Sequence, residues 1–206
     1  MHETGEPDER SGPPASAPDS DALGRPSHPD GMTRHVVTRR GERIHIRPIR
    51  PGDDVGLAVF HRGLSDRSVY RRFFSVHPVL SPPEIEHFTH VDYMDRLALV
   101  AEHGGLIVAV GRYERTPATS EAEVAFVVSD EYQHQGIGTV LLEQLVDAAL
   151  TQGITVLTAQ TLAENHAVLA MFRKSGFPVT TTTESETVSV RFPIQATAPQ
   201  LPGFSD

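Results

Sequence analysis

Ala122-Glu123-Val124-Ala125-Phe126-Val127-Val128-Ser129-Asp130-Glu131-Tyr132-Gln133-His134-Gln135-Gly136-Ile137-Gly138-Thr139-Val140-Leu141-Leu142 is the stretch whose reading decides the fold. Its first part, Ala122–Val128, is rich in Val and Phe and reads as a strand. From Gly138 to Leu150 the apolar residues Leu142, Leu145, Val146 and Ala149 share one helical face, and Gly153 is the stop signal. Gly136 and Gly138 stand where the helix begins, and the missing Cβ atoms let the backbone approach a ligand. Unpaired N–H groups of the first helical turn, with the positive end of the dipole, then favour a phosphate. The segment reads as a pyrophosphate cradle that needs no basic side chain. A Walker loop is excluded, because it requires Gly-Lys-Ser/Thr and the single lysine is Lys174. A dinucleotide fingerprint is excluded as well: Leu141 stands where a third small residue is needed, and Ile154–Ala159 has no acidic residue. Gly-x-Gly alone leaves a second reading open, a Gly-rich turn that merely starts a helix.

Working outward, Ile154–Ala159 reads as a strand covered on both faces. Asn165 to Ser175 reads as a second helix, ended by Gly176 with Phe177 sealing the cap, and Phe177–Thr183 with Thr187–Phe192 as a final hairpin. Upstream, His35–Thr38 and Arg43–Ile49 are strands around Arg39-Arg40-Gly41. Asp53 is placed to cap a helix through Leu57, Phe60 and Leu64, and Ser65 to cap another carrying Val69, Tyr70, Phe73 and Phe74. Ser81-Pro82-Pro83-Glu84 is a capping-box start. Arg96–Ala101 and Leu106–Arg112 form a hairpin through His103-Gly104-Gly105. Strands first, then strand–helix–strand–helix–strand, predict one α/β (α+β) domain over residues 31–192: a mixed central sheet with helices on both faces.

The flanks are a different material. Residues 1–30 hold six Pro, three Gly, four Ser and seven acidic residues against Arg10 and Arg25. They carry −5 of the −9 net charge and almost no large apolar side chain. Such a segment cannot offset its ordering entropy, so it is expected to be a disordered tail, dispensable for chemistry. Residues 193–206 are expected to trail off likewise. The acidic balance excludes the cationic footprint of a nucleic-acid binder. The absence of cysteine excludes disulfide scaffolds, thiolate zinc sites, iron–sulfur clusters and a Cys nucleophile. The polar, acidic start is no signal peptide, and apolar runs of about five residues fall far short of a membrane span. A soluble cytoplasmic protein is the expectation. His87 and His90 lie three apart on a predicted helix, but no third ligand stands in register, so no metal is expected.

Two motifs in order carry a resemblance. Gln133-x-x-Gly136-x-Gly138 on a strand–helix turn is followed, after one more strand, by Asn165, Phe172 and Gly176-Phe177. This pair resembles the GNAT superfamily of acyl-CoA-dependent N-acyltransferases, over about residues 43–192. The resemblance implies the GNAT fold and acetyl-CoA as co-substrate. It implies that the backbone of Phe126, Val127 and Val128 lines the pantetheine arm and polarises the thioester. The amides of His134, Gln135, Gly136, Ile137, Gly138 and Thr139 would hold the pyrophosphate, and Asn165 would contact pantetheine while capping its helix. Two departures stand out. His134 and Gln135 replace the basic residues often found beside the glycines, and Phe172 occupies the position of a general-acid Tyr.

An attacking lysine must lose a proton, and a carboxylate on the strand that polarises the thioester is the natural helper. Alternation places Glu121 and Glu123 on one face of that strand, with Val124 and Phe126 on the other. Glu123 matches the strand glutamate of GNAT enzymes that acetylate protein lysines and is the candidate base. Glu121 is the weaker candidate, and Glu102, beside a hairpin, reads as surface. Leu64–Phe74, Leu80-Ser81 and Val91-Asp92-Tyr93 are similar to bacterial Pat-type protein lysine acetyltransferases, which modify acyl-CoA synthetases. The expected partner is therefore a protein with an exposed lysine, an acyl-CoA synthetase foremost. Without cysteine no thioester acyl-enzyme forms, which favours direct transfer in a ternary complex. Arg67, Arg71 and Arg72 read as a solvated helix face, with contact to CoA or target the other reading. A small-molecule amine acetyltransferase and a non-catalytic acyl-CoA sensor are the alternatives.

Overall fold

Apolar side chains on both faces of the central strands dictate a sheet covered on both sides. In β3 (Arg96–His103), Leu97, Leu99 and Ala101 face one core, while Ala98 and Val100 face the other. The computed structural model describes residues 29–195. The 1–30 segment therefore lies outside the described residues except for Pro29 and Asp30, and so does the stretch from 196 onward.

Eight strands form one sheet in the order β1-β2-β3-β4-β5-β6-β8-β7. They are β1 (Arg34–Val37), β2 (Arg43–Pro48), β3, β4 (Leu106–Arg115), β5 (Glu121–Val128), β6 (Val156–Leu162), β7 (Thr180–Glu184) and β8 (Thr187–Pro193). Every neighbouring pair is antiparallel except β5 and β6. Helices α1 (Asp54–Arg62), α2 (Asp66–Phe73) and α3 (Pro82–Thr89) cover one face with Leu57, Phe60, Val69 and Phe88. Helices α4 (Ile137–Thr151) and α5 (His166–Arg173) pack with the other, through Leu141, Leu145, Leu169 and Phe172. This is the GNAT fold, a mixed α/β sheet with helices on both sides. Past β8, Ile194 is still buried and donates its amide to the Thr155 carbonyl. No helix among the described residues is long and apolar enough to cross a membrane.

Local chemistry sets most helix starts. The Ser65 hydroxyl accepts the Ser68 amide at the head of α2, and Ser81 with Glu84 forms the capping box of α3. Gly111 on β4 faces Phe126 on β5, and a Cβ there would lie 3.0 Å from the Phe126 ring and 3.2 Å from Leu141. The missing side chain lets α4 sit close on the sheet.

Two expectations need correction, and one buried ion cluster explains both. Asp53 precedes α1 but makes no side-chain cap bond to it. Its carboxylate instead takes both guanidinium arms of buried Arg47, at 2.7 and 2.8 Å, and the Arg50 amide at 2.9 Å. Glu102, expected on the surface, is largely buried and accepts from Arg47 and His45. The cluster ties β2, the start of α1 and β3 together. Burial alone would raise both carboxyls, but the Arg47 hydrogen bonds, helped by the Arg50 amide and by His45, hold Asp53 and Glu102 below the usual carboxylate range. A depressed folded value adds stability above the unfolded pKa of about 4, and that stability is lost as pH falls through the folded value. Asp53→Asn should cost about 3–5 kcal/mol at pH 7 by leaving Arg47 undercompensated in the core. Urea denaturation should show that deficit shrinking below about pH 4. A loss under about 1 kcal/mol at pH 7 would contradict this account.

Candidate functional site

β5 and β6 pair over three residues, Glu121–Glu123 with Val156–Thr158, and then part. From Val124 onward the β6-facing edge of β5 has no strand partner, while its other edge stays in register with β4 through Val128. Peptide groups in such an edge need partners. The gap opens into a cleft of about 310 Å³ whose walls include Phe126, Val127 and Val128 of β5 and Asn165, Val168 and Met171 around α5.

Buried Phe172 lies beneath the gap. Its ring is 1% exposed and lies 6.2 Å edge-on from Phe126 and 5.2 Å from Phe192 on β8. Neighbours on α5 line the cleft, but Phe172 itself does not. It packs against Phe126 of β5 and Phe192 of β8 in the core under α4 and α5.

The loop after β5 delivers the start of α4 to the cleft mouth. His134 and Gly136 are both left-handed, with φ of 62° and 94°, and Gly136 is the N-cap of α4 without any side-chain cap. The Thr139 and Val140 amides close back on the Gly136 carbonyl, so the Ile137 and Gly138 amides are the ones left for a ligand, at the positive end of a 15-residue helix. This cradle fits a pyrophosphate. A Cβ at Gly138 would stand 3.2 Å from Met171 Sδ, so any side chain there has to displace Met171 from its place in the cleft wall.

Asp130 locks α2 onto this loop. Its carboxylate accepts from the Ser65 amide and hydroxyl and from the Ser68 hydroxyl, at 2.7–3.0 Å. Burial works against the charge, but these three bonds keep its carboxyl below the ordinary value. Gln133 extends the lock, its Nε2 donating to Ser68 Oγ and to the Val128 carbonyl, both at 3.0 Å. Sequence reading assigned no role to Ser65–Asp130 or Gln133–Ser68, whose partners lie 65 residues apart.

Most of the sequence-derived residues meet in one place. Phe126, Val127, Val128, His134, Gly136, Ile137, Gly138, Thr139 and Asn165 all line the cleft. Asn165 also caps α5, with Oδ1 facing the Val168 amide. Gln135 does not line it: the side chain is buried and turned inward, donating to the Glu131 carbonyl at 2.9 Å. Glu123 is exposed on the opposite face of β5 from Phe126, next to Ala125 and Val127 in the alternation. Glu121 pairs with Arg191 on β8, which gives it a structural partner.

Cationic residues that sequence reading set aside also reach the cleft. Arg39 enters from the β1–β2 turn, donating to the His134 carbonyl at 3.4 Å, and Lys174 from the end of α5. Arg71 lines the wall beside Glu164. Arg72 corrects the expectation of a solvated helix face: burial, then the Arg112 guanidinium, push it down to about 9 against the pull of Glu123, so it remains cationic at neutral pH. Arg67 is the one of the three that matches a solvated position, 69% exposed with a loose contact to Glu164. Among the described residues no group of three or more His, Asp or Glu is arranged to hold a metal.

The model of the acetyltransferase (GNAT) family matches residues 67–177, more than half of the chain. The chain belongs to the GNAT acetyltransferase family. Acetyltransferase Pat of Mycolicibacterium smegmatis is 33% identical over 144 residues, covering 68% of this chain and 43% of that protein. An acetyltransferase of Pseudomonas aeruginosa is 29% identical over 141 residues, covering 66% of this chain and 76% of its own length. Among solved structures, the GNAT domain of S. lividans PAT matches with a TM-score of 0.76 at 34% identity, covering 81% of this chain and 99% of that one. A cAMP-binding acyltransferase from Mycobacterium smegmatis matches with a TM-score of 0.57 at 30% identity, over 82% of this chain and 50% of its own. The GNAT chain described here thus spans half or less of these mycobacterial relatives.

GNAT acetyltransferases use acetyl-CoA, and the cradle at Gly136–Thr139 gives a direct test. Millimolar CoA should raise the melting temperature, as any ligand selective for the native state does. Gly138→Val drives Met171 into the cleft and should weaken CoA binding at least tenfold by calorimetry with the fold retained. Wild-type affinity in that variant would contradict the placement of the pyrophosphate.

Proposed function

We propose that this chain is an acetyl-CoA-dependent protein lysine N-acetyltransferase of the cytoplasm, transferring acetyl directly within a ternary complex. One observation carries the reading. β5 presents an unpaired edge, and α4 its N-terminus, to one cleft, and β5 presents Glu123 on its exposed face. The target class, an acyl-CoA synthetase, rests on the likeness of the α2 region to Pat-type enzymes and on the identity with Pat of M. smegmatis.

The proposed chemistry follows from where the groups lie. With pyrophosphate on the first turn of α4 and pantetheine along β5, the thioester reaches the open edge around Val127, where the amides of Phe126 and Val128, which point away from β4, can polarise its carbonyl. A lysine of pKa about 10.4 is only ~0.1% neutral near pH 7.4, and removing its proton there costs about 4 kcal/mol. Glu123 is the acceptor of that proton. It stands four residues from Val127, about 13 Å along the strand, so the proton reaches it through a chain of waters rather than one. The amine nitrogen then attacks the thioester carbon, the C–S bond breaks with its electron pair going to sulfur, and the second amine proton passes to the departing thiolate. Phe172 offers no proton to it and lies outside the cleft wall, and a thiolate leaves without an acid.

Glu123→Gln keeps the shape and removes proton acceptance. The rate on a lysine-bearing protein should fall about 100- to 10,000-fold near pH 7, and the deficit should narrow toward pH 9.5 as neutral lysine grows. Acetyl-CoA affinity should stay within twofold of wild type, because Glu123 does not line the cleft. A variant within threefold of wild type at neutral pH, with chemistry rate-limiting, would remove Glu123 as the base. Binding of acetyl-CoA without transfer to any protein or small amine would favour the sensor reading instead.

A further inference from the structure

A second, smaller pocket opens beside the cleft and shares two of its residues, Val127 and Arg72. Its walls are mostly apolar, with Ile49, Leu57, Phe60, Phe88 and Val110 among them. Three polar groups interrupt that lining: the guanidinium groups of Arg72 from α2 and Arg112 from β4, and the buried imidazole of His61 from α1, whose ring nitrogens have no hydrogen-bond partner among the described residues. Each guanidinium is half-buried, and neither has a hydrogen bond or an ion pair within 4 Å among the described residues. What holds them is stacking: Arg72 lies 5.0 Å from the centre of the Phe73 ring, and Arg112 lies 4.1 Å from that of Phe88. Stacking fixes the guanidinium plane and leaves the N–H edge free to donate. Glu114 and Glu123 offset the charge at longer range, but neither is paired with these arginines.

Two cations brought together in an apolar pocket without a counter-ion are costly, and they are the natural seat of a small anion. The position of the pocket tells which anion. Its junction with the cleft is at Val127, where the thioester is placed above, so the pocket begins where the acyl group continues past its carbonyl. It encloses about 40 Å³, room for about three water-sized groups. That suits a short acyl tail and is too small for a peptide segment. We propose that this pocket accepts the tail of a short ω-carboxyacyl thioester of CoA, with Arg112 and Arg72 receiving the terminal carboxylate. Ile49, Val110 and Val127 cover the methylenes. The inference rests on the acyl-CoA reading of the main cleft and extends it to the identity of the acyl group.

The transfer balances as in acetylation. The neutral amine forms the C–N bond, the C–S bond breaks with its electron pair going to sulfur, and the proton left on the new amide nitrogen passes to the CoA thiolate. A modified lysine then changes from +1 to −1, where acetylation would leave it neutral.

The test compares ligands that differ in one terminal group. Calorimetry on the full chain with CoA, butyryl-CoA and succinyl-CoA needs no acceptor, so a carboxylate on the acceptor cannot supply the signal. Succinyl-CoA should bind at least tenfold more tightly than butyryl-CoA. Arg112→Met should erase that preference to within twofold and leave CoA itself unchanged, since Arg112 does not line the main cleft. Arg112→Lys, which keeps the charge, should retain part of the preference and serves if the Met variant does not fold. Equal binding of butyryl- and succinyl-CoA, or a preference that survives Arg112→Met, would overturn the proposal while leaving the acyl-CoA site intact. Failure of all three ligands to bind would overturn the acyl-CoA reading and this inference with it.

Discussion

The parting of β5 from β6 after three residue pairs is the constraint on which the rest of the molecule depends. A parallel pair that ran its full length would satisfy the edge of β5 and close the cleft. Three aromatic rings pack beneath the point where the strands part. Phe172 lies buried with Phe126 on one side and Phe192 on the other. The same position shows why a residue can sit in a motif and do different work. Its neighbour Met171 faces the cleft, while the ring of Phe172 faces the core.

Once the strands part, two further devices make the gap a site. The left-handed backbone at His134 and Gly136 turns the chain so that α4 begins at the mouth with the Ile137 and Gly138 amides open to a ligand. The Asp130 carboxylate, taken by Ser65 and Ser68, then fixes α2 against the far wall. Placing α2 there carries Arg72 to the junction of cleft and pocket. The hydrogen bonds of a loop thus determine the electrostatics at the reacting end. The buried Arg47–Asp53–Glu102 cluster performs a comparable service for the opposite edge of the sheet, joining β2 and β3 to the start of α1.

Much of this was legible in the sequence because local rules governed it. The capping box at Ser81 and Glu84, the cap at Ser65, the stop of α4 near Gly153 and the closing hairpin all follow from spacing within a few residues. The glycine cradle was legible for the same reason, since turn geometry and helix amides are sequence-local. The resemblance then named Asn165 and the strand backbone as its companions. Long-range pairing was not legible. Asp53 obeys the rule for a cap, yet Arg47, six residues earlier on β2, takes its carboxylate. Gln135 sits in the glycine loop, but its side chain finds the Glu131 carbonyl and turns inward. Nothing in the spacing announces that Arg72 and Arg112, forty residues apart, share a pocket. A helix face full of arginines reads as solvated until a strand lies against it.

Amide hydrogen exchange with and without acetyl-CoA tests the central claim most directly, that the open edge of β5 and the first turn of α4 form the acyl-CoA site. The account predicts slowed exchange at Ile137 and Gly138 and at Phe126 and Val128, with the β3–β4 ladder unchanged. Protection confined to other elements, or none at saturating ligand, would contradict it.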